Sequence, residues 1–435
     1  MRHAIGWAEL QDARVGVFGA GVEGLSALGR LTALTSDVVV VDDDPGASLV
    51  EREVVASASG GIELLRHCDV VIKSPGISRY RNDVVALESA GIPVVGGTGL
   101  SIHELVATRV VCITGTKGKS TTASVLGHLL GRLGVASVVT GNIGLPLFDP
   151  SVPTDAEVYV VETSSFQALD VADAPGVVVV TSLAVDHVDW HGSAEQYQRD
   201  KLSLSSLEGA GITIAQGSSP LLRERAAELG GELRWSEAVA GDWATALGLL
   251  GRHNLANAEL ARLAIEALDL GIELDDEALA EASEGFRPLL GRLSDAGSIG
   301  GVRFIDDSLA TNVLPTLAAL ESLAGERLAI LLGGFDRGVR YDELIEALAH
   351  RGSPTFVVGL PDTGARLVAA IASAGSSTQT ALAKSVTEAT TMAFEWARPD
   401  GVVLLSPAAP SFSQFANWKE RSQAFRDQVA LLEGG

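Results

Sequence analysis

The sequence predicts an α/β protein of three domains, each built on a mainly parallel sheet. Short apolar runs rich in valine or leucine recur along the whole chain, at residues 38–41, 110–113, 177–180, 328–332 and 402–405. Runs that are apolar on both faces suit strands covered by helices on either side, and stretches of helical spacing separate them. Most of the runs end in glycine, polar or charged residues, the pattern of a parallel sheet whose carboxyl ends face a ligand.

The first domain begins with a strand at residues 14–18 that leads into Gly19-Ala-Gly-Val-Glu-Gly24, and a second strand at residues 38–42 ends at Asp42. Gly19, Gly21 and Gly24 followed by an acid at this distance form a dinucleotide-type fingerprint. A nicotinamide cofactor is the direct reading, which would make the protein an oxidoreductase, and a tight turn without ligand is the plain one. A second phosphate loop downstream favours the nucleotide of a substrate instead. Residues 69–77 repeat the strand-to-turn pattern and contribute Ser74, Pro75 and Gly76, while residues 92–95 supply another strand after a helical stretch at residues 83–90. Ligands of open parallel sheets bind at the strand ends, so these residues are expected to face one crevice.

The second domain starts with the stretch on which the rest depends, Val110-Val-Cys-Ile-Thr-Gly-Thr-Lys-Gly-Lys-Ser-Thr-Thr122. A β-branched strand ends at Thr114-Gly115, and helical spacing resumes at Ala123. Gly115 and Gly118 let the backbone N–H groups of Thr116, Lys117 and their neighbours approach an anion. Lys119 adds a mobile cation, the helix start adds partial positive charge, and the hydroxyl of Ser120 or Thr121 can ligate Mg²⁺. The glycine spacing is two residues shorter than the standard phosphate loop, so the coincidence of strand, turn, Lys-Ser-Thr and helix carries the ATP assignment. A glycine-rich turn with two solvated lysines is the alternative.

Two further buried strands, at residues 159–162 and 177–181, end in Glu162-Thr-Ser-Ser-Phe-Gln167 and lead to Asp186-His-Val-Asp-Trp-His191. Glu162 and His187 are natural ligands or orienters for Mg²⁺ beside a triphosphate; as an alternative, Glu162 caps a turn, and His187 with His191 are surface residues at i, i+4 spacing. No His-Glu-x-x-His supports zinc. Lys201 follows Tyr197 on a helix, and Asn254 and Asn257 lie three apart near the start of another, suited to a base edge or ribose, or to ordinary capping.

Glycine, proline and arginine mark a linker between Ser283 and Leu293, and beyond it strands at residues 302–305, 328–332, 355–358 and 402–405 alternate with helices into a third α/β domain. Several of these strands end in motifs: Asp306-Asp-Ser-Leu-Ala-Thr-Asn312, Gly333-Gly-Phe-Asp-Arg-Gly338 and Ser406-Pro-Ala-Ala-Pro-Ser-Phe412.

Composition narrows the partners. The chain has 435 residues, 46% hydrophobic and 20% charged, with a formal charge of −23, so any phosphate must be held by a local basic site, and nucleic acid and anionic membrane are disfavoured. Two cysteines, Cys68 and Cys112, cannot make a disulfide framework or a Cys₄ zinc site and point to a reducing compartment. No apolar run reaches the length of about 18 residues that a membrane span needs, and charged residues interrupt the N-terminal stretch. A cytoplasmic monomer is expected.

Taken in order, the motifs resemble the Mur ligase family, and within it the branch that adds glutamate. The resemblance runs from Gly19-x-Gly-x-x-Gly24 and Ser74-Pro-Gly76 through the phosphate loop, Gly141-Asn-Ile-Gly-Leu-Pro146, Glu162-x-Ser-Ser-Phe-Gln167, Asp186-His-x-Asp189, His253-Asn-x-x-Asn257, Asp307-Ser-x-Ala-Thr-Asn312 and Leu332-Gly-Gly334 to Leu405-Ser-Pro-Ala-x-x-Ser-Phe412. It implies the three-domain architecture of that family: a Rossmann-like domain for a UDP-sugar substrate at residues 1–107, a central phosphate-loop ATPase domain at 108–288 and a C-terminal Rossmann-like domain at 289–435. It further implies an ATP- and Mg²⁺-dependent ligase that joins glutamate to UDP-N-acetylmuramoyl-L-alanine through an acyl phosphate. Folylpolyglutamate synthases carry the phosphate loop near their start, and amidotransferase relatives carry four zinc-binding cysteines, so neither pattern fits.

Carried over residue by residue, the resemblance gives Lys119, Glu162, His187 and Lys201 catalytic roles, with Lys201 as a carbamate and Ser120, Glu162, His187 and that carbamate as metal ligands. It assigns Asn254, Asn257, Arg292 and Asp307 to the nucleotide or to domain closing, and Asn142 to the UDP-substrate. Thr311, Arg337, Ser411, Phe412 and Trp418 fall at glutamate positions. Several residues depart from the branch's D-glutamate pattern: Leu309 stands for a lysine, Gly291 for the histidine of a His-Arg pair, Arg337 for the lysine after Leu-Gly-Gly, and Trp418 for phenylalanine. Arginine presents a planar, two-pronged donor where lysine presents a point charge. These departures favour L-glutamate, with D-glutamate as the runner-up.

Overall fold

A computed structural model describes residues 2–375, 377–412 and 414–434 of the chain. They divide into two compact units: residues 1–243 with 256–284, and residues 244–255 with 285–435.

The first unit carries two parallel sheets. Strands β1 (Val15–Phe18), β2 (Val38–Asp42), β3 (Val55–Ala56), β4 (Val70–Lys73) and β5 (Val94–Val95) are ordered β3-β2-β1-β4-β5. The order reverses between β1 and β4, and there the Gly19 turn and the Ser74 turn lie side by side. Strands β6 (Val110–Thr114), β7 (Ser137–Gly141), β8 (Val158–Glu162), β9 (Val177–Val180), β10 (Ile212–Gln216) and β11 (Glu232–Ser236) form the second sheet in the order β11-β10-β9-β6-β8-β7. Every residue of β6, β8 and β9 is buried, as the two-sided apolar runs require.

Buried ions join the two sheets of this unit. Lys73 Nζ lies 2.7 Å from one oxygen of Asp170 and Arg79 Nε 2.6 Å from the other, while Arg79 also reaches Glu88 at 2.7 Å. Burial pulls the Lys73 ammonium below the ordinary lysine range and Asp170 opposes the shift. Removing one partner of such a set costs about 3–5 kcal/mol, because the other charge is left buried and alone.

The second unit holds β12 (Ser294–Ile299), β13 (Val302–Asp306), β14 (Leu328–Leu332), β15 (Thr355–Gly359), β16 (Gln379–Leu382) and β17 (Val402–Leu405), ordered β12-β13-β17-β14-β15-β16. The ladder is parallel except for β12, which runs antiparallel to β13 with a register shift between Asp295 and Gly297. Polar edge strands such as β12 and β16 lack the apolar signal that marks the central ones, so the sequence pattern passes over them. Among the described residues, no helix is long and apolar enough to cross a membrane.

Candidate active site

The phosphate loop is shaped by two glycines and braced by β9. Gly115 has φ +138° and Gly118 φ +95°, both unfavourable for a side chain. A Cβ on Gly115 would sit 2.1 Å from Thr181 Oγ1, and one on Gly118 would sit 2.4 Å from Asn257 Oδ1. The Thr116 N–H donates to Ser182 O at 2.9 Å, the Lys117 N–H to Ser182 Oγ at 2.8 Å, and Thr181 Oγ1 to Lys117 O at 2.6 Å. The helix Lys119–Arg132 starts directly after Gly118, so Lys119, Ser120 and Thr121 occupy its first turn, where unpaired N–H groups and the helix dipole favour an anion.

Lys119 and Lys201 converge on one carbonyl. Lys119 Nζ donates to Gly115 O at 2.9 Å and Lys201 Nζ donates to the same oxygen at 3.0 Å. Lys201 is 2% exposed, on the helix Ala194–Leu202 behind Tyr197, whose hydroxyl lies 2.9 Å from Thr116 Oγ1. Burial first, and then the neighbouring Lys119 charge, drive Lys201 well below the ordinary lysine range, toward the neutral amine. A neutral amine is the form that adds CO₂.

Glu162 ends β8 and is 2% exposed. Its Oε1 accepts from Asn142 Nδ2 at 2.9 Å, whereas its Oε2 is buried without a hydrogen-bond partner among the described residues. An orphaned carboxylate oxygen is costly in a dry site unless a cation completes it. Glu162 does not cap the following turn; Ser164 and Gln167 do, through a reciprocal capping box. His187 stands at φ +48°, about half exposed, with its imidazole pushed toward the neutral, metal-binding form by burial and by the charges of Lys201, Lys117 and Lys119, against the opposing pull of Asp186. No three His, Cys, Asp or Glu side chains among the described residues form a ready-made metal cluster. The donor set of Ser120, Glu162 and His187 fits Mg²⁺, which keeps most of its water and takes few protein ligands.

The nucleotide-type turn of the first sheet is built from its own motif. Gly19 has φ +107° and packs against Ser74, whose Oγ donates to Gly19 O at 3.0 Å; a Cβ on Gly24 would meet Gly19 O at 2.1 Å. Asp42 accepts from the Ala20 N–H at 2.6 Å and the Asp44 N–H at 2.9 Å, so its carboxylate braces the turn. Gly21 and Gly76 have open space where a Cβ would go, and Pro75 lies between Ser74 and Gly76 in the facing turn.

In the second unit, Asp307 accepts from Ser406 Oγ at 2.7 Å and from the Leu293 N–H at 3.3 Å. Burial raises its carboxyl to about 7, with Arg292 among the groups that oppose the shift. Asn254, also in this unit, donates to Leu250 O at 2.8 Å. Gly291 has φ +70°, and a Cβ there would lie 2.7 Å from the Trp418 ring and 3.4 Å from Leu309 N. Three departures from the D-glutamate pattern, Gly291, Leu309 and Trp418, therefore meet in one packed cluster, which also holds the segment leading to Thr311 through Leu309 N to Gly291 O at 3.0 Å. Arg337 lies over the Phe412 ring at 5.4 Å, and the Phe335 N–H donates to Pro410 O at 2.9 Å, bringing the Arg337 loop beside Ser411.

Sequence reasoning passed over one group. His191 is not a surface residue at i, i+4 from His187; it is 3% exposed and bonded to Ser165 and Asp200. The feature that could have flagged it is Asp200, an acid directly before Lys201 in the last turn of a helix, where the dipole disfavours negative charge.

Comparison with known proteins follows the same lines as the geometry. Residues 113–238 match the family described as Mur ligase middle domain, and residues 291–409 match that described as Mur ligase, glutamate ligase domain. The chain is 36% identical to the UDP-N-acetylmuramoyl-L-alanine--L-glutamate ligase of Micromonospora sp., covering 98% of both chains. It is 35% identical to the protein of the same name from Salinispora tropica, covering 98% of this chain and 99% of that one. The crystal structure of the MurF ligase from Thermotoga maritima in complex with ADP shares the fold, with a TM-score of 0.59 at 16% identity over 99% of this chain and 98% of that one.

Proposed function

The chain belongs to the Mur ligase family of ATP-dependent, amide-bond-forming ligases, and from that premise we infer that it joins L-glutamate to UDP-N-acetylmuramoyl-L-alanine. The observation that carries the ligase chemistry is the convergence of Lys119 and Lys201 on Gly115 O beside the orphaned Glu162 oxygen.

The reaction divides into two steps. The free carboxylate of the UDP-sugar peptide attacks the γ-phosphorus of ATP, forming an acyl phosphate and ADP. The amine of glutamate then attacks the acyl carbon, an amide bond forms, and phosphate leaves with the C–O electron pair while the amine loses a proton. Lys119 and the N–H groups of the loop stabilise charge on the transferring phosphoryl group. Ser120, Glu162 and His187 would hold Mg²⁺, which supplies charge neutralisation on the phosphates. Lys201, held toward the neutral amine, adds CO₂ and releases a proton to become a carbamate, turning a buried neutral amine into an anion able to join that ligand set.

The Gly19, Gly21 and Gly24 turn, with Ser74, Pro75, Gly76, Asn142 and Asp42 around it, serves the UDP-sugar and not a nicotinamide. In the first unit Asn257 and Thr121 border the nucleotide phosphates; in the second unit Asn254, Arg292 and Asp307 are nucleotide residues on the family resemblance alone. Arg337 with Ser411 anchors the glutamate carboxylates, and Thr311, Phe412 and Trp418 shape its pocket. The chain works as a cytoplasmic monomer.

The test is release of ADP and phosphate from ATP with purified protein. Turnover should require the UDP-sugar peptide, L-glutamate and Mg²⁺ together, and mass spectrometry should find the acceptor extended by one glutamyl residue. Turnover without the acceptor, or none with all components present, would contradict the reading.

A further inference from the structure

A hydrogen-bonded chain in the first unit stands outside the reaction just described. His191 Nδ1 lies 2.6 Å from Asp200 Oδ2, the Tyr80 hydroxyl lies 2.8 Å from both Asp200 oxygens, and Gln196 Nε2 donates to Asp200 Oδ1 at 2.7 Å. With Nδ1–H given to the carboxylate, His191 Nε2 keeps its lone pair and accepts the Ser165 hydroxyl at 3.0 Å; the network assigns this tautomer. Ser165, His191 and Asp200 are only 2%, 3% and 3% exposed. A carboxylate so enclosed depends on its donors, since each one lost leaves acceptor capacity unmet in a dry interior.

Each member of this chain belongs to an element that carries a site residue. Ser165 opens the helix three positions after Glu162, and His191 closes the helix Val188–His191 that follows His187. Asp200 directly precedes Lys201, and Tyr80 lies a few positions beyond Ser74, Pro75 and Gly76 in the first sheet's turn. Packing reinforces the same joint. Phe166 stacks on Trp190 at 4.5 Å and on His191 at 5.4 Å, Trp190 Nε1 donates to Gly76 O at 3.2 Å, and Ser78 Oγ donates to Trp190 O at 3.0 Å.

The order Ser–His–Asp is also that of a hydrolytic triad. Ser165 is enclosed and its hydroxyl is aimed at His191 among stacked rings, so no acyl group can reach it.

We propose that His191 and Asp200 are positioning residues of the ligase, holding the Lys201 helix in register with the Glu162 strand, and that Tyr80 ties this pair to the substrate-binding turn of the first sheet. The proposal rests on the ligase reading above. Its logic is geometric: a misplacement of about 1 Å in a reacting group can cost on the order of a hundredfold in rate.

Steady-state kinetics and thermal melts of the full chain test it, with His191→Ala, His191→Asn and Tyr80→Phe against the wild type. His191→Asn keeps an N–H for Asp200. Tyr80→Phe removes one hydroxyl from a side chain that is 45% exposed, so it leaves the fold intact. The expected result is a loss of about tenfold or more in kcat for His191→Ala, with KM for ATP within about twofold, because orientation and not nucleotide binding is impaired. His191→Asn should recover most of that loss, and Tyr80→Phe should lose about threefold to tenfold in kcat. Wild-type turnover in the same assay separates the two ideas: if it is absent, the ligase reading and this proposal fall together. If it is present and the variants keep wild-type kcat, or lose only melting temperature or ATP affinity, positioning is wrong and the ligase reading stands. Labelling of Ser165 by a serine-reactive fluorophosphonate would also overturn the proposal, since it would make that serine an accessible nucleophile.

Discussion

Two amines on one carbonyl set the chemistry at the scale of single residues. Lys119 and Lys201 both bond Gly115 O, and two full positive charges held that close in a buried place repel. Burial resolves the conflict at Lys201 by favouring its neutral form. Lys119→Ala is expected to lower kcat by about 10²–10³, the worth of one preorganised charge contact, while the melting temperature stays within a few degrees. Single-turnover kinetics and calorimetry check both halves; near-normal turnover would remove Lys119 from the phosphoryl contact. Asp307 offers a test in the second unit. Its carboxyl lies near 7 when folded and near the ordinary aspartate value when unfolded, so the folded state binds the extra proton between those values. The stabilisation is full below about pH 4 and is lost as pH rises through about 7. Asp307→Asn should flatten the fall in melting temperature between about pH 4 and 8, raising stability at the alkaline end most, and an unchanged slope would show that Asp307 titrates normally. The place of Lys119 at the start of the helix was legible in the sequence because its neighbours in the chain, Gly118 and Ser120 among them, define the turn. His191 and Asp200 were not, because their meaning lies in partners such as Ser165, 26 positions from His191, and Tyr80, 120 from Asp200.

Strands and the turns that follow them carry the function at the next scale. Most assigned residues lie in or beyond the carboxyl end of a parallel strand, with Lys201, Asn254, Asn257 and Trp418 on helices instead, so the central strands and their end motifs were readable together from two-sided apolar runs closed by glycine or acid. Strands β3, β7, β10, β11, β12 and β16 escaped that reading for the opposite reason. They lie at or near sheet edges, with mixed faces such as Ser-Asp-Ala-Gly-Ser-Ile in β12, and polarity there resembles a loop. The turn after β6 shows how tightly an element of this kind is specified. Gly118→Ala places a Cβ 2.4 Å from Asn257 Oδ1 at φ +95°. The left-handed backbone costs about 1–2 kcal/mol, and the steric contact moves either the loop or the asparagine. A tenfold or greater loss of ATP affinity by titration calorimetry is expected, with a melting temperature lower by a few degrees. Unchanged ATP affinity would place the nucleotide elsewhere.

At the scale of the whole molecule, the residues proposed for phosphoryl transfer, Lys119, Glu162, His187 and Lys201, lie in the first unit, and those that depart from the D-glutamate pattern lie in the second. Gly291 and Trp418 touch, since a Cβ at position 291 would lie 2.7 Å from the Trp418 ring, and Leu309 joins them through its N–H to Gly291 O. Arg337, stacked over Phe412, offers a planar fork in place of a lysine. An inverted α-carbon exchanges the amine and the hydrogen while both carboxylates can stay anchored, so a changed handedness calls for rearranged anchors and leaves the phosphoryl chemistry as it is. Sequence comparison agrees with that division, since the relatives at 36% and 35% identity carry L-glutamate in their names. The departures were visible in the sequence as isolated substitutions; their contact was not, because Gly291 and Trp418 are far apart in the chain. The measurement that tests the central claim most directly is the ratio of kcat/KM for L-glutamate to that for D-glutamate, with UDP-N-acetylmuramoyl-L-alanine as the common acceptor. A preference for L-glutamate of about tenfold or more, roughly 1.4 kcal/mol in transition-state energy, is predicted. Equal use of the two enantiomers, or a preference for D-glutamate, would contradict it.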